Sequence, residues 1–222
     1  MEAFSADFAT LPQHDRYKLL CALVIPRPIA LVTTLAPDGT VNAAPFSFFN
    51  VFSDDPPLLV LGLQSRPDGT PKDTPANVRE RGSFVVNLVD ESIADQMNTC
   101  AVDFPRDMSE VEIAQLKTAP SVTTPVPRLA DAPASLECRH FATLEVSRAR
   151  RLTIGEIRYV HARPGIVDPE KMYVDLNAYK PVARLFGNLY AKLGERFELK
   201  RETYGEWQAH QVNGKGEPSQ AP

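Results

Sequence analysis

Two short stretches carry residue types that could do chemistry. The first is Gln64 to Asn77, QSRPDGTPKDTPAN. Ser65, Arg66, Lys72 and Thr74 put two hydroxyls and two cations just before a helix start. A helix N-terminus presents unpaired N–H groups and the positive end of the backbone dipole, so added Lys and Arg make an anion site suited to a phosphate. A capped helix behind a solvated loop explains this segment too and, taken alone, is the simpler reading. The second stretch is Ala43 to Asn50, AAPFSFFN. Ala43 and Ala44 are small where a close-packed strand would favour Val or Ile, so something flat can approach the backbone. Pro45 breaks the ladder and frees neighbouring groups for another partner. Phe46, Ser47, Phe48, Phe49 and Asn50 mix aromatics with short polar groups, which suits a planar ring that is part apolar and part hydrogen-bonding. Together the stretches describe the two ends of one nucleotide-like ligand. No G-x-G-x-x-G and no Walker loop occurs, so neither a Rossmann nor a P-loop cradle is available.

The elements that must position these residues are mostly strands. Ile29 to Thr34 is rich in β-branched and aliphatic residues, Pro37-Asp38-Gly39 is a turn, and the chain is strand-like again from Val41. Leu58 to Leu63, LLVLGL, is a continuous apolar run that predicts a strand buried on both faces. Asp73 to Arg81 predicts a helix with Asp73 or Thr74 as N-cap and Pro75 at the first helical position, ended by Gly82. Ser83 to Val89 is a further strand. Residues 90–117 predict two helical pieces broken near Pro105, and residues 118–133 a loop. Ala134 to Val146 and Leu152 to His161 predict a long strand pair, which points to a barrel rather than a flat sheet. Residues 14–23 predict a short helix. The expected division is an N-terminal arm or helix over 1–25, one β-dominated α+β domain over 26–207, and a loose tail over 208–222.

The whole chain narrows the classes of function. Its 222 residues suffice for one sizeable domain, and 43% apolar content is ordinary for a globular core. A formal net charge of −4 gives no basic footprint for nucleic acid. No apolar run approaches the roughly 20 residues of a spanning helix, and the first residues lack a secretory profile. Three widely spaced cysteines, Cys21, Cys100 and Cys138, form no disulfide framework, so a reducing, cytoplasmic setting is expected. Cys100 and Cys138 read as small buried hydrophobes. The four histidines have no metal-like spacing. His140 and His161 fall on the paired strands and are expected to neighbour each other, with His161 a minor candidate near a bound ring. Tyr204 and Trp207 read as packing anchors or a dimer contact. Acidic residues in ESIAD and SEVE read as ordinary charges at helix N-termini.

The ordered set RPIALVTT, DGTVNAAPFSFFN, DPPLLVLGL and KDTPANVRERGSFVVNLV resembles the flavin reductase-like family with the FMN-binding split barrel. APASLECRHFATLEV, TIGEIRYVHARPGIVD and ARLFGNLY continue the resemblance, which runs from about Pro26 to Tyr190. It implies a split β-barrel with peripheral helices, bound FMN, a homodimer, and redox chemistry with NADH or NADPH as hydride donor. Carried onto this chain, it places Thr33 and Thr34 near the flavin, and Asn42, Ala44, Pro45, Phe46, Ser47, Phe49 and Asn50 along the ring and ribityl chain. It sets Ser65, Arg66, Lys72, Thr74 and Asn77 around the phosphate, and lets Arg184, Asn188 and Tyr190 close over the site, from this subunit or its partner. One departure is the proline- and glycine-bearing stretch between Arg66 and Lys72, where the family loop is commonly rich in basic residues.

The flavin itself accepts hydride, so the protein need supply only position, hydrogen bonds and exclusion of water, and no catalytic acid, base or metal ligand is assigned. The leading expectation is an NAD(P)H-dependent FMN oxidoreductase of the flavin reductase type. The alternatives are a flavoredoxin-like electron carrier with tightly bound FMN and a redox partner protein, or a flavin-binding or sensing module without turnover. No nucleic-acid or membrane partner is expected.

Overall fold

The structure is a computed structural model that describes residues 3–213. An N-terminal helix, α1 (Gln13–Leu23), precedes a run of strands: β1 (Ala30–Leu35), β2 (Val41–Phe46), β3 (Phe49–Asp54) and β4 (Pro57–Gln64). Helix α2 (Asp73–Arg81) leads into β5 (Ser83–Leu88), and a 3-10 turn over Glu91–Ile93 into the short helices α3 (Ala94–Thr99) and α4 (Glu110–Ile113). Two-residue strands β6 (Thr118–Ala119) and β7 (Arg128–Leu129) bracket a loop before the long pair β8 (Ala134–Ser147) and β9 (Arg150–Ala162). The chain ends through β10 (Val167–Asp168), β11 (Tyr173–Val174), β12 (Val182–Arg184), β13 (Tyr190–Lys192) and helix α5 (Tyr204–Asn213).

Seven strands form one antiparallel sheet in the order β2-β1-β5-β8-β9-β4-β3. The β1–β2 hairpin closes where expected. Gly39 takes φ +93, which Gly adopts without the Cβ clash, and Asp38 Oδ1 accepts the Thr40 amide at 2.9 Å. Because successive side chains on a strand alternate faces, β1 feeds two cores. Leu31 packs with Ala43, Val89, Ile93 and Met97, while Ala30 and Val32 pack with Phe49, Leu59, Leu61 and Phe84.

Three expectations need correction here. The run LLVLGL is not buried on both faces: Leu59, Leu61 and Leu63 are buried, whereas Leu58, Val60 and Gly62 are half-buried. One face of β4 meets the core, and Gly62 on the other lines a groove. The helical pieces over 90–117 are shorter than their amphipathic pattern suggests. The loop between them, which carries Pro105, has no helix. His140 and His161 are not neighbours, because the β8–β9 register pairs His140 with Gly155 and His161 with Ser135.

His161 instead meets Glu137. Glu137 is fully buried and its carboxylate takes four bonds: Val122 N at 2.7 Å, Thr123 N and Oγ1 at 2.6 Å each, and His161 Nε2 at 2.6 Å. Burial alone would raise this carboxyl. The Thr123 hydroxyl, His161 and the two amides outweigh it and bring the pKa down to about 2. The effect is to pin the 118–133 loop to β8. Asn87 does similar work nearby, donating to Leu31 O and Thr33 Oγ1 and accepting from Leu129 N and Ser135 Oγ.

At the C-terminus, α5 includes residues 208–213 of the expected tail, and the rest of it, 214–222, lies outside the described residues. Tyr204 and Trp207 stack on each other at 6.0 Å and stay largely exposed instead of anchoring to the core.

Candidate functional site

A groove of about 870 Å³ opens beside the edge of β2 and the start of α2. Of the residues expected at a ligand, Asn42, Ala44, Pro45, Phe46, Ser47, Arg66, Lys72 and Thr74 line it. The two stretches that carry the chemistry, separate in sequence, therefore face one space.

The β2 edge explains the small residues and the proline. Ala43 N donates outward to Glu110 Oε2 at 3.1 Å, and Val41 O accepts the Ser109 hydroxyl at 2.7 Å. Ala43 and Val41 thus turn their backbone groups away from β1. By the two-residue alternation Pro45 does the same, so its missing N–H costs no bond to β1, contrary to the expected break in the ladder. From Ala44 to Ser47 this edge borders the groove. Gly62 forms part of the wall, and only a glycine fits there: an added Cβ would sit 2.9 Å from Phe48 Cβ, while its amide donates to Phe48 O at 2.7 Å. Tyr17 of α1 leans on Phe48, with ring centroids 6.2 Å apart, and completes an aromatic end.

The opposite end is cationic. Helix α2 begins at Asp73, with Lys72 as its N-cap and no side-chain cap bond, so neither Asp73 nor Thr74 caps it. Asp73 is ion-paired instead, with Arg66 at 3.0 Å and Arg106 at 3.4 Å. Arg66 also donates to Pro71 O. Lys72 Nζ reaches Asp103 at 2.6 Å on the exposed 101–106 loop. Three cations thus surround the first turn of α2, against two carboxylates. Between the two ends, burial raises the pKa of Glu110. Burial and the neighbouring Glu110 push the Cys100 thiol up to about 12, which makes it an unreactive wall.

The remaining expected residues lie elsewhere. Thr34 is fully buried behind the groove, where its hydroxyl accepts from Asn42 at 3.2 Å and Asn77 at 3.0 Å; Asn42 also donates to Thr74 at 3.1 Å. Thr34, bonded by Asn77, therefore holds Asn42, which in turn bonds Thr74, and neither Thr34 nor Asn77 lines the space. Thr33, one residue away and so on the opposite face, donates to Pro127 O at 2.7 Å. Phe49 is in the core, and exposed Asn50 bonds the Val51 amide. Ser65 is buried against Arg151. Arg184, Asn188 and Tyr190 line a second cavity, of about 460 Å³. There the Arg184 guanidinium sits 4.5 Å from the Tyr190 ring centroid, and Tyr190 Oη meets Asn98 Oδ1 at 3.3 Å. His161 lines neither cavity.

Sequence reading missed Tyr17, Arg106 and Glu110. Each comes from a separate segment with ordinary local composition, and Glu110 reads as a plain charge at a helix start. Among the described residues no cluster of His, Cys, Asp and Glu could hold a metal ion, and no helix is long and apolar enough to cross a membrane.

The residues fit an FMN-like guest by chemistry and by size. A cationic helix start faces one end of the groove, a backbone edge with an aromatic wall faces the other, and the volume falls within the roughly 300–1,000 Å³ of small-molecule sites. The fold is that of the split-barrel flavin reductases. The model of the family described as "Flavin reductase like domain" matches residues 22–203, and the chain belongs to that family. An uncharacterized protein of Bacillus subtilis strain 168, YwrF, is 44% identical over 206 residues, covering 90% of this chain and 99% of its own. Among solved structures, the Pseudomonas fluorescens 2-nitrobenzoate 2-nitroreductase NbaA is 38% identical with a TM-score of 0.84, over 90% of this chain and 98% of that one. Component B of the Bacillus cereus nitrilotriacetate monooxygenase is 36% identical with a TM-score of 0.84, over 90% and 100%. The chain accordingly stands among flavin-related oxidoreductases.

Proposed function

We propose that this protein binds FMN in the β2–α2 groove and transfers hydride to it from NADH or NADPH. One observation carries the reading: a cationic helix start and a flat, amide-edged aromatic slot share a single cavity. Lys72, Arg66 and Arg106, with the first-turn amides of α2, would hold the phosphate, and Thr74 would bond it. Asn42, fixed by Thr34 and Thr74, and the Glu110 carboxylate would meet the ribityl hydroxyls. Ala44 lets the ring approach the backbone, while Phe46, Phe48 and Tyr17 exclude water from it. When bound, FMN supplies the two-electron redox chemistry, and the chain supplies orientation, which can account for a large part of the barrier to hydride transfer.

The activities named for two similar structures, a nitroreductase and a monooxygenase component, support redox use of the flavin. A homodimer fits the exposed apolar side chains of the C-terminal segment, Leu193, Phe197, Leu199, Tyr204 and Trp207. In such a dimer the partner could bring its own Arg184, Asn188 and Tyr190 to the ring. Buried free thiols at all three cysteines fit a reducing, cytoplasmic setting.

The test is anaerobic stopped-flow mixing of the FMN-loaded protein with NADH and with NADPH. Rapid loss of flavin absorbance with either donor is the expected result. No loss with both, on a protein that holds FMN tightly, would favour a flavoredoxin-like carrier or a sensing module.

A further inference from the structure

Arg27 lies outside the groove wall, yet it connects directly to it. It is only 7% exposed, and among the described residues it has no carboxylate partner. All its acceptors are neutral oxygens: Cys21 O at 2.5 Å, Val24 O at 3.0 Å, Leu185 O at 2.7 Å and the Ser47 hydroxyl at 3.3 Å. Burying a guanidinium without an anion is costly, because desolvation is not offset by an opposite charge. The Cys21 and Val24 carbonyls lie at the C-terminal end of α1, whose dipole offsets part of that cost. Those two bonds have a purely structural explanation. The bond to Ser47 does not, since Ser47 belongs to the groove.

That bond takes one acceptor position of the Ser47 hydroxyl and leaves its proton uncommitted. Its oxygen is occupied as an acceptor from Arg27 and its own proton has no partner among the described residues, so the O–H is free to donate into the groove. A cation behind a hydroxyl strengthens it as a donor. Reduction of a flavin by hydride adds two electrons and one proton to the ring, oxidises the nicotinamide donor by the same amount, and leaves one added negative charge on the ring. Arg27 and Ser47 stand where that charge would be felt.

We infer that Arg27 is a positioning residue that, through Ser47, makes the groove bind reduced FMN more tightly than oxidised FMN. Arg27 also exchanges backbone bonds with Arg184, at 3.1 and 2.9 Å, so one residue ties the ring end of the groove to the strand that opens the RLFGNLY segment. The inference rests on FMN occupying the groove as proposed above.

The experiment measures the two-electron midpoint potential of bound FMN against reference dyes, using dithionite as reductant, in the wild type and in Arg27→Met, Arg27→Lys and Ser47→Ala. The potential reports the ratio of affinities for the two oxidation states. A merely structural loss weakens both alike and leaves it unmoved. In Arg27→Met the preference for reduced FMN is expected to fall about tenfold, which is a potential lower by ~30 mV for two electrons. Arg27→Lys, which keeps the charge, should retain much of the preference, and Ser47→Ala should lose part of it. Should Arg27→Met fail to fold, Arg27→Lys and Ser47→Ala still decide the matter. A potential in Ser47→Ala equal to that of the wild type overturns the inference while leaving flavin binding intact. A wild-type protein that takes up no flavin overturns both this inference and the function it rests on.

Discussion

Lys72 and Thr74 were legible as candidates because a cation and a hydroxyl before a helix have a physical use for an anion. What the residue types could not show is how the cations are kept without a ligand. Lys72 pairs with Asp103, and Asp73 is shared by Arg66 and Arg106, so a phosphate must compete with carboxylates already in place. The Lys72–Asp103 pair is exposed and worth little, at about 0–1 kcal/mol, and is readily exchanged. Replacing Lys72 and Thr74 together with Ala should weaken FMN by about 1.5–3 kcal/mol, the value of hydrogen bonds to a charged group. Riboflavin, which lacks the phosphate, should lose clearly less, only what loosening Asn42 from Thr74 costs, and equal losses in parallel titrations of the two flavins would remove the phosphate from this end. At the other end, Ser47→Trp should fill the slot beside Phe48. Circular dichroism of that variant should match the wild type while flavin binding drops at least tenfold, and retained binding would move the ring elsewhere.

At the scale of elements, strands and their partners were legible from alternation and turn chemistry, whereas faces and register were not. The two-residue period shows that Thr33 and Thr34 look opposite ways, but only pairing with β2 and β5 decides which looks toward Asn42. The same limit applies to the histidines: a bulge between Glu137 and Cys138 and the β8–β9 register send His161 to Glu137 and leave His140 near Thr143. Glu137 makes a prediction at this scale. Its folded pKa of about 2 lies below the ordinary 4.5. The unfolded chain therefore binds more protons between those values, and stability rises with pH through that window. The contribution is fully present above about pH 4.5 and is lost as pH falls toward 2. Glu137→Gln should lower unfolding stability at neutral pH by about 1–3 kcal/mol, since all four anchoring donors lose their charged acceptor and the new NH2 faces a backbone N–H of Val122 or Thr123. Urea unfolding at a series of acidic pH values should show a flatter dependence in the variant. An unchanged slope would mean that Glu137 does not anchor the 118–133 loop.

For the whole molecule, the long β8–β9 pair and the single large sheet hold β2 and α2 in a fixed relation, and the groove exists only because they do. The segment after Lys192 leaves the body of the protein, with Phe197 82% and Leu199 83% exposed. Apolar side chains so exposed on a chain of this charge and size predict a second copy as their cover. Analytical ultracentrifugation should give twice the monomer mass, and Phe197→Ser with Leu199→Ser should shift the equilibrium toward monomer by at least tenfold in dissociation constant. A wild-type protein that sediments as a monomer at micromolar concentration would leave Arg184, Asn188 and Tyr190 to act on their own subunit alone.

The amino-acid sequence by itself determined the class: strand-rich, with a phosphate-suited helix start, a small-residue strand edge, and motifs in the order of one family. Those features are local, set by backbone sterics, side-chain size and turn chemistry within a few residues. Only the tertiary structure decided that Tyr17, Arg106 and Glu110 complete the groove, that Thr34 and Asn77 support it from behind, and that Arg27 reaches Ser47 across 20 residues of chain. These contacts join segments whose separation leaves no periodic signal. They form because packing two cores on opposite faces of one sheet brings those segments together.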